Sequence, residues 1–218
     1  MVLIIKIIKR LTAAALVPVL AAALCAGHAY ALDQPVVSAK SAVVLCSGYT
    51  LFEKNADVKM PMASTTKLMT AIIAIESCPL DERVEIKPEY CNIEGSSMYL
   101  ILGESYSVKE LVEGLLLVSG NDAATALACH IAGSTERFAA LMNEKAARLG
   151  MSNTHFVNPH GLIENGHYST ARDMARLMEY GMEDPAFAEI DAMKSCTAGG
   201  RLLVNHNRLL DLCPGCVG

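Results

Sequence analysis

Apolar positions recur at helical spacing in four stretches of this chain and alternate only in a few short ones. The first long run, "TTKLMTAIIAIES" at 65–77, has Leu68, Met69, Ile72, Ile73 and Ala74 apolar and no Gly or Pro inside. That pattern predicts a buried helix, ended by Cys78-Pro79. Ser107 precedes "VKELVEGLLLVSG", and Glu110 three residues on completes a capping box. Gly120 ends that helix, and Asn121 and Asp122 open the next, "AATALACHIAG". Ser134 caps "TERFAALMNEKAARLG", which Gly150 stops. Ser169 or Thr170 caps "ARDMARLMEYG", and a short helix is expected around Pro185–Ala192.

Strand-like pieces are fewer. "AVVLC" and "TLFEK", separated by "SGY", read as a hairpin within 38–55. "RVEIK" is a short strand candidate at 83–87, and Arg201–Asn205 is another. Between these elements lie a polar loop, "EGSSMYLILGE", and a turn-rich one, "MSNTHFVNPHGLIENGHYS". There is no internal repeat and no low-complexity linker. Strands and helices segregated along the chain predict an α+β fold.

The N-terminus has its own pattern. Lys6, Lys9 and Arg10 precede an alanine-rich apolar run, and Ala29-Tyr30-Ala31 has the small-x-small form of a cleavage site. Residues 1–31 therefore read as a secretory signal peptide rather than a membrane anchor. Cleavage there leaves 187 of the 218 residues, and the net charge goes from −5 to −8 as three basic residues are lost. An acidic, patch-free chain gives no reason to expect nucleic-acid binding. Export predicts a substrate outside the cytoplasmic membrane. Of the eight cysteines, Cys25 leaves with the signal, and the other seven show no regular metal-ligand spacing. "CPGC" at 213–216 has redox-motif spacing without the surrounding βαβ pattern of redox proteins.

Candidate chemistry starts at "PMASTTKLMTA", residues 61–71, where Ser64 stands three residues ahead of Lys67. On a helix those positions share a face. A serine hydroxyl is a poor nucleophile until a base takes its proton, and a lysine whose pKa is lowered by burial can be that base. The alternative is a capping serine beside a lysine whose stem lies on apolar surface. About fifty residues on, Ser119-Gly120-Asn121 falls between two helices. It is either an ordinary turn or a hydroxyl and an amide aimed at a substrate. His160 lacks an acidic partner and reads as structural, as do Asn158, Gly161 and His167 in the same loop. Asp173 suits the first turn of its helix.

Ser-x-x-Lys followed by Ser-x-Asn is the order found in penicillin-binding proteins and class A β-lactamases. With those blocks in place, the chain resembles the serine-type D-alanyl-D-alanine carboxypeptidases, the low-molecular-mass penicillin-binding proteins. "EKNADVKMPMASTTKLMTA", "LLVSGNDAATALA", "FVNPHGLIENGHYSTARDMARL" and "NHNRLL" carry the likeness, which spans about 36–218. The resemblance implies a β-lactamase-like α+β fold with a helical subdomain and an antiparallel sheet. It implies Ser64 as nucleophile, Lys67 as its base, Ser119 as proton relay and Asn121 as holder of the substrate amide. The implied substrates are peptidoglycan stem peptides ending in D-Ala-D-Ala, with β-lactams as acylating inhibitors. No metal or organic cofactor is implied, and the site of action is extracytoplasmic.

The family's third block, Lys-Thr-Gly, does not occur in the sequence. Residues 32–218 are accordingly expected to be a partial peptidase domain lacking its C-terminal strands, inactive and poorly folded alone. Membrane association is expected only through a missing C-terminal region. The competing readings are a class A-like β-lactamase with Glu164 as deacylating base, and an inactive peptidoglycan-binding remnant.

Overall fold

The computed structural model describes residues 35–217. The expected signal peptide lies outside them. The chain divides into two compact units, Met1–Ser38 and Ala39–Gly218. The described residues of the first, 35–38, are irregular.

The second unit begins with strands β1 (Ala42–Cys46) and β2 (Tyr49–Lys54). They pair antiparallel, with a register shift at Val44/Leu45. A 3₁₀ turn, Ala63–Thr65, leads into helix α1 (Thr66–Ser77). Strand β3 (Arg83–Glu85) pairs with β4 (Ser105–Ser107). Helices α2 (Val108–Leu117), α3 (Asn121–Ala132), α4 (Thr135–Arg148), α5 (Ala171–Gly181) and α6 (Pro185–Asp191) follow. A last ladder joins β5 (Ser195–Ala198) to β6 (Arg201–Val204), and a short helix α7 (Leu209–Leu212) comes after it.

The core is centred on α1. Met69, Ala71, Ile72, Ile73 and Ala74 are buried, as are Thr66, Lys67 and Thr70. A helix apolar on nearly every side must be surrounded, and α1 contacts α2, α3, α4, α5 and α6. Leu111, Leu115, Leu127, Phe138, Met142, Leu177 and Phe187 close the packing.

The helix boundaries follow the caps. Ser107 and Glu110 make the reciprocal capping box at α2. The Ser134 hydroxyl accepts from the Arg137 N–H at α4. Thr170, not Ser169, caps α5 by accepting from the Asp173 N–H. Strands β4 and β5 were not expected from the sequence. Each is a short, polar segment whose extended form depends on its partner in the ladder. No helix among the described residues is long and apolar enough to cross a membrane.

Candidate active site

Ser64 sits in the 3₁₀ turn that feeds α1. The residue before it, Ala63, has φ +46°, a conformation that costs an L-residue roughly 1–2 kcal/mol. The turn is held by the Thr65 hydroxyl, which donates to the Met62 carbonyl at 2.6 Å. Gly161 packs against it from the 157–162 loop. Its φ is +90°, and a Cβ there would collide with the Ala63 carbonyl. The N-cap of α1 is Thr65 with no side-chain cap bond, so Ser64 does not serve as a cap. Its side chain is exposed, and its Oγ lies 3.4 Å from Lys67 Nζ.

Lys67 is 2% exposed. Its ammonium donates to the His160 carbonyl at 2.7 Å as well as to Ser64. Burial lowers its pKa to about 8, against the opposing pull of the Asp122 carboxylate. Lys145 shows what decides this. It too is buried, but Glu76 accepts from it at 2.6 and 2.8 Å, and its pKa is raised on balance. Lys67 faces a carbonyl and a hydroxyl, and neither can neutralise it. Desolvation therefore wins at Lys67 and loses at Lys145.

The loop that holds Lys67 is itself built by its side chains. The Asn158 Oδ1 accepts from Gly161 N–H at 2.7 Å, and its Nδ2 donates to the Leu162 carbonyl at 3.0 Å. Thr70 donates to the Pro159 carbonyl at 2.7 Å. His167 Nδ1 accepts from the Val157 N–H, so the proton of the neutral ring is on Nε2, facing Thr66 Oγ1 at 2.8 Å. Burial lowers the pKa of His167, and it lowers that of His160 to about 4 with help from the nearby Lys67 charge. Both rings are neutral at ordinary pH.

Ser119 lies in the α2–α3 connection with φ +59°, and its buried Oγ has no hydrogen-bond partner. A cleft of about 270 Å³ is lined by Ser64, Lys67, Ser119, Leu115, Leu116 and Asp191, among others. The fold thus brings Ser64, Lys67 and Ser119 to one cavity. Asn121 is buried and does not line that cleft. Its Nδ2 donates to the Glu94 carbonyl at 2.6 Å, and its N–H bonds the Ser96 carbonyl at 2.8 Å.

Two residues of this region were missed by sequence reasoning. Asp122 is 1% exposed and accepts from the Ser97 hydroxyl and the Met98 and Leu100 N–H groups, fastening the 96–100 loop to the start of α3. An acidic residue in a first helical turn was visible, but the loop it grips was not. Asp191, at the end of α6, lines the cleft with one buried carboxylate oxygen unpartnered, and burial raises its pKa. Nothing local in "FAEIDAM" signals that position. Glu164 is exposed and accepts from Asn158 Nδ2 at 3.3 Å, and it does not line the cleft.

Residues 28–212 match the family model for Peptidase_S11, D-alanyl-D-alanine carboxypeptidase. The chain belongs to that family. The D-alanyl-D-alanine carboxypeptidase DacF of Bacillus subtilis is 37% identical over 192 residues, covering 83% of this chain and 49% of that protein. Among solved structures, a D-alanyl-D-alanine carboxypeptidase from Mycobacterium tuberculosis superposes with a TM-score of 0.82 at 34% identity, covering 87% of this chain and 75% of that one. Penicillin binding protein 5 from Haemophilus influenzae does so with a TM-score of 0.77 at 33% identity, covering 82% and 55%. The α+β fold is therefore that of the penicillin-binding carboxypeptidases. The chain spans about half the length of the Bacillus relative.

Proposed function

We propose that this chain carries the nucleophile, base and proton relay of a serine D-alanyl-D-alanine carboxypeptidase. The observation that carries the reading is Lys67: a buried lysine with a pKa of about 8, in contact with Ser64 Oγ. In its neutral form Lys67 takes the hydroxyl proton as Ser64 attacks the carbonyl between two terminal D-alanines. The Ser64 N–H, close to the helix N-terminus, offers one donor to the oxyanion. The unpartnered hydroxyl of Ser119 is free to pass a proton to the departing D-alanine amine. Asn121 is assigned to the substrate amide, with its Nδ2 anchored on the Glu94 carbonyl and its Oδ1 and second N–H as the groups that would meet it. Water then hydrolyses the ester at Ser64. The substrate is a peptidoglycan stem peptide, and β-lactams acylate the same serine.

Residues 1–31 are proposed as the cleaved export signal and 32–218 as part of the peptidase domain. The sequence has no Lys-Thr-Gly, so a second oxyanion donor and a cation for the substrate carboxylate are not supplied by that motif. Loss of one such donor typically slows acyl transfer about a hundred- to thousandfold. The test is covalent labelling with benzylpenicillin read by intact mass, alongside D-alanine release from a D-Ala-D-Ala peptide. Slow labelling, abolished in Ser64→Ala, is the expected result. Labelling at another residue refutes the assignment of Ser64.

A further inference from the structure

The three side chains Cys78, Glu82 and His130 converge on the face of the molecule where α1 and α3 end. Their donor atoms, Cys78 Sγ, a Glu82 carboxylate oxygen and a His130 ring nitrogen, all lie within 4.8 Å of one another. Glu82 Oε1 and His130 Nε2 are 2.8 Å apart. We propose that this cluster is a binding site for a zinc-type divalent cation.

Three features favour it. The donors come from rigid positions. Cys78 is the C-cap of α1, its N–H bonded to the Ala74 carbonyl at 3.1 Å. Glu82 closes the turn after it, its N–H on the Pro79 carbonyl at 3.1 Å and its own carbonyl taking the Val108 N–H at 2.9 Å. His130 lies in the last turn of α3, which Gly133 ends. Their backbones are thus fixed before any ion arrives.

The field also has the right sign. Two twelve-residue helices present their carbonyl ends here, and helix C-termini favour a cation. Finally, the charges balance. A thiolate, a carboxylate and a neutral imidazole sum to −2, so a dication makes a neutral, half-buried centre. Cys78 and His130 are both partly buried and suit such a centre.

The donor set selects the ion class. Sulfur and imidazole ligands disfavour Mg²⁺ and Ca²⁺ and suit Zn²⁺ and its neighbours. Three protein ligands leave a fourth, tetrahedral position for water. Burial and the Glu82 charge raise the Cys78 thiol pKa, so binding must release the thiol proton to solvent as the sulfur–metal bond forms. The ion would pin the far end of α1 to α3, about 21 Å from Ser64 by the helix rise over fourteen residues. Its effect is on stability and does not depend on the acyl-transfer reading.

Titrating the protein with Co²⁺, a coloured stand-in for Zn²⁺, tests this. The expected result is a thiolate-to-cobalt absorption band saturating at one ion per chain. It disappears in Cys78→Ser and is weakened at least roughly a hundredfold in His130→Gln, the scale at which even outer-shell losses are felt. The Cys213→Ser/Cys216→Ser double variant keeps it. At Zn²⁺ about a hundredfold above its Kd, Tm should rise by roughly 5–10 °C in the wild type and much less in His130→Gln. No band, a band unchanged in Cys78→Ser, or a band lost in the Cys213/Cys216 variant would overturn the proposal. In those cases Glu82 and His130 are an ordinary hydrogen-bonded surface pair.

Discussion

Gly161 and Asp191 set two local conditions on the cleft. Gly161→Ala forces a methyl group into the Ala63 carbonyl at a φ that alanine resists. The expected outcome is β-lactam labelling of Ser64 reduced at least roughly tenfold with far-UV circular dichroism unchanged, because the turn moves and the helices remain. Equal labelling rates would show that the Ala63 conformation is unimportant. Asp191 is the opposite case, a carboxylate whose burial is uncompensated. Its raised pKa makes the charged form a cost to folding at neutral pH, a cost lost on acidification through its folded-state pKa. Asp191→Asn should therefore raise Tm at pH 7 and lose that advantage below the usual aspartate range; a lower Tm at pH 7 would contradict this. Ser64 and Lys67 were legible in the sequence because three residues of helix bring them together. The carbonyl that holds Lys67 was not, since His160 is 93 residues away and contributes its backbone.

The 157–162 loop and α1 behave as one element. Thr66, Lys67 and Thr70 each bond into the loop or to His167 beyond it. His160 and His167 stay neutral in the fold, His160 with a pKa of about 4 against an ordinary 6.5. Between those values the unfolded chain binds protons that the folded chain refuses. The His160 contribution to stability is thus complete above about pH 6.5, falls as pH drops towards 4, and is level below, and His167, also lowered by burial, acts in the same direction. The urea midpoint should follow that course. In His160→Asn, whose side chain can still accept from the Leu162 N–H, the slope should be shallower; an equally steep curve would assign the acid sensitivity to other groups. Helix ends were readable because caps are local chemistry, as at Ser107, Ser134 and Thr170. Strands β4 and β5 were not, because "SYS" and "SCTA" extend only by pairing with Arg83–Glu85 and, across the Gly199-Gly200 turn, with Arg201–Val204.

Stability in the second unit rests on one cluster around α1. Leu127 on α3 is fully buried in it. Leu127→Ala should cost about 2–5 kcal/mol, read as a lower urea midpoint at unchanged m-value. A loss below about 1 kcal/mol would mean that the cluster is not packed as described. The exposed apolar side chains lie mainly elsewhere, among them Val44 and Leu51 on the first hairpin and Leu202 and Val204 on β6. The helices thus hold the turn that carries Ser64, and the first hairpin and β6 leave much of their apolar surface exposed.

Activation of Ser64 by the buried Lys67, as proposed, makes benzylpenicillin labelling depend on pH. With a pKa of about 8, roughly one Lys67 in ten is neutral at pH 7, against about one in 2,500 at the ordinary value of 10.4. One adduct per chain is expected, on the peptide containing Ser64. Its rate of formation should rise through about pH 8 and then level, and the adduct should be absent in Ser64→Ala. An adduct that persists in Ser64→Ala, or a rate flat between pH 6 and 9.5, would contradict it.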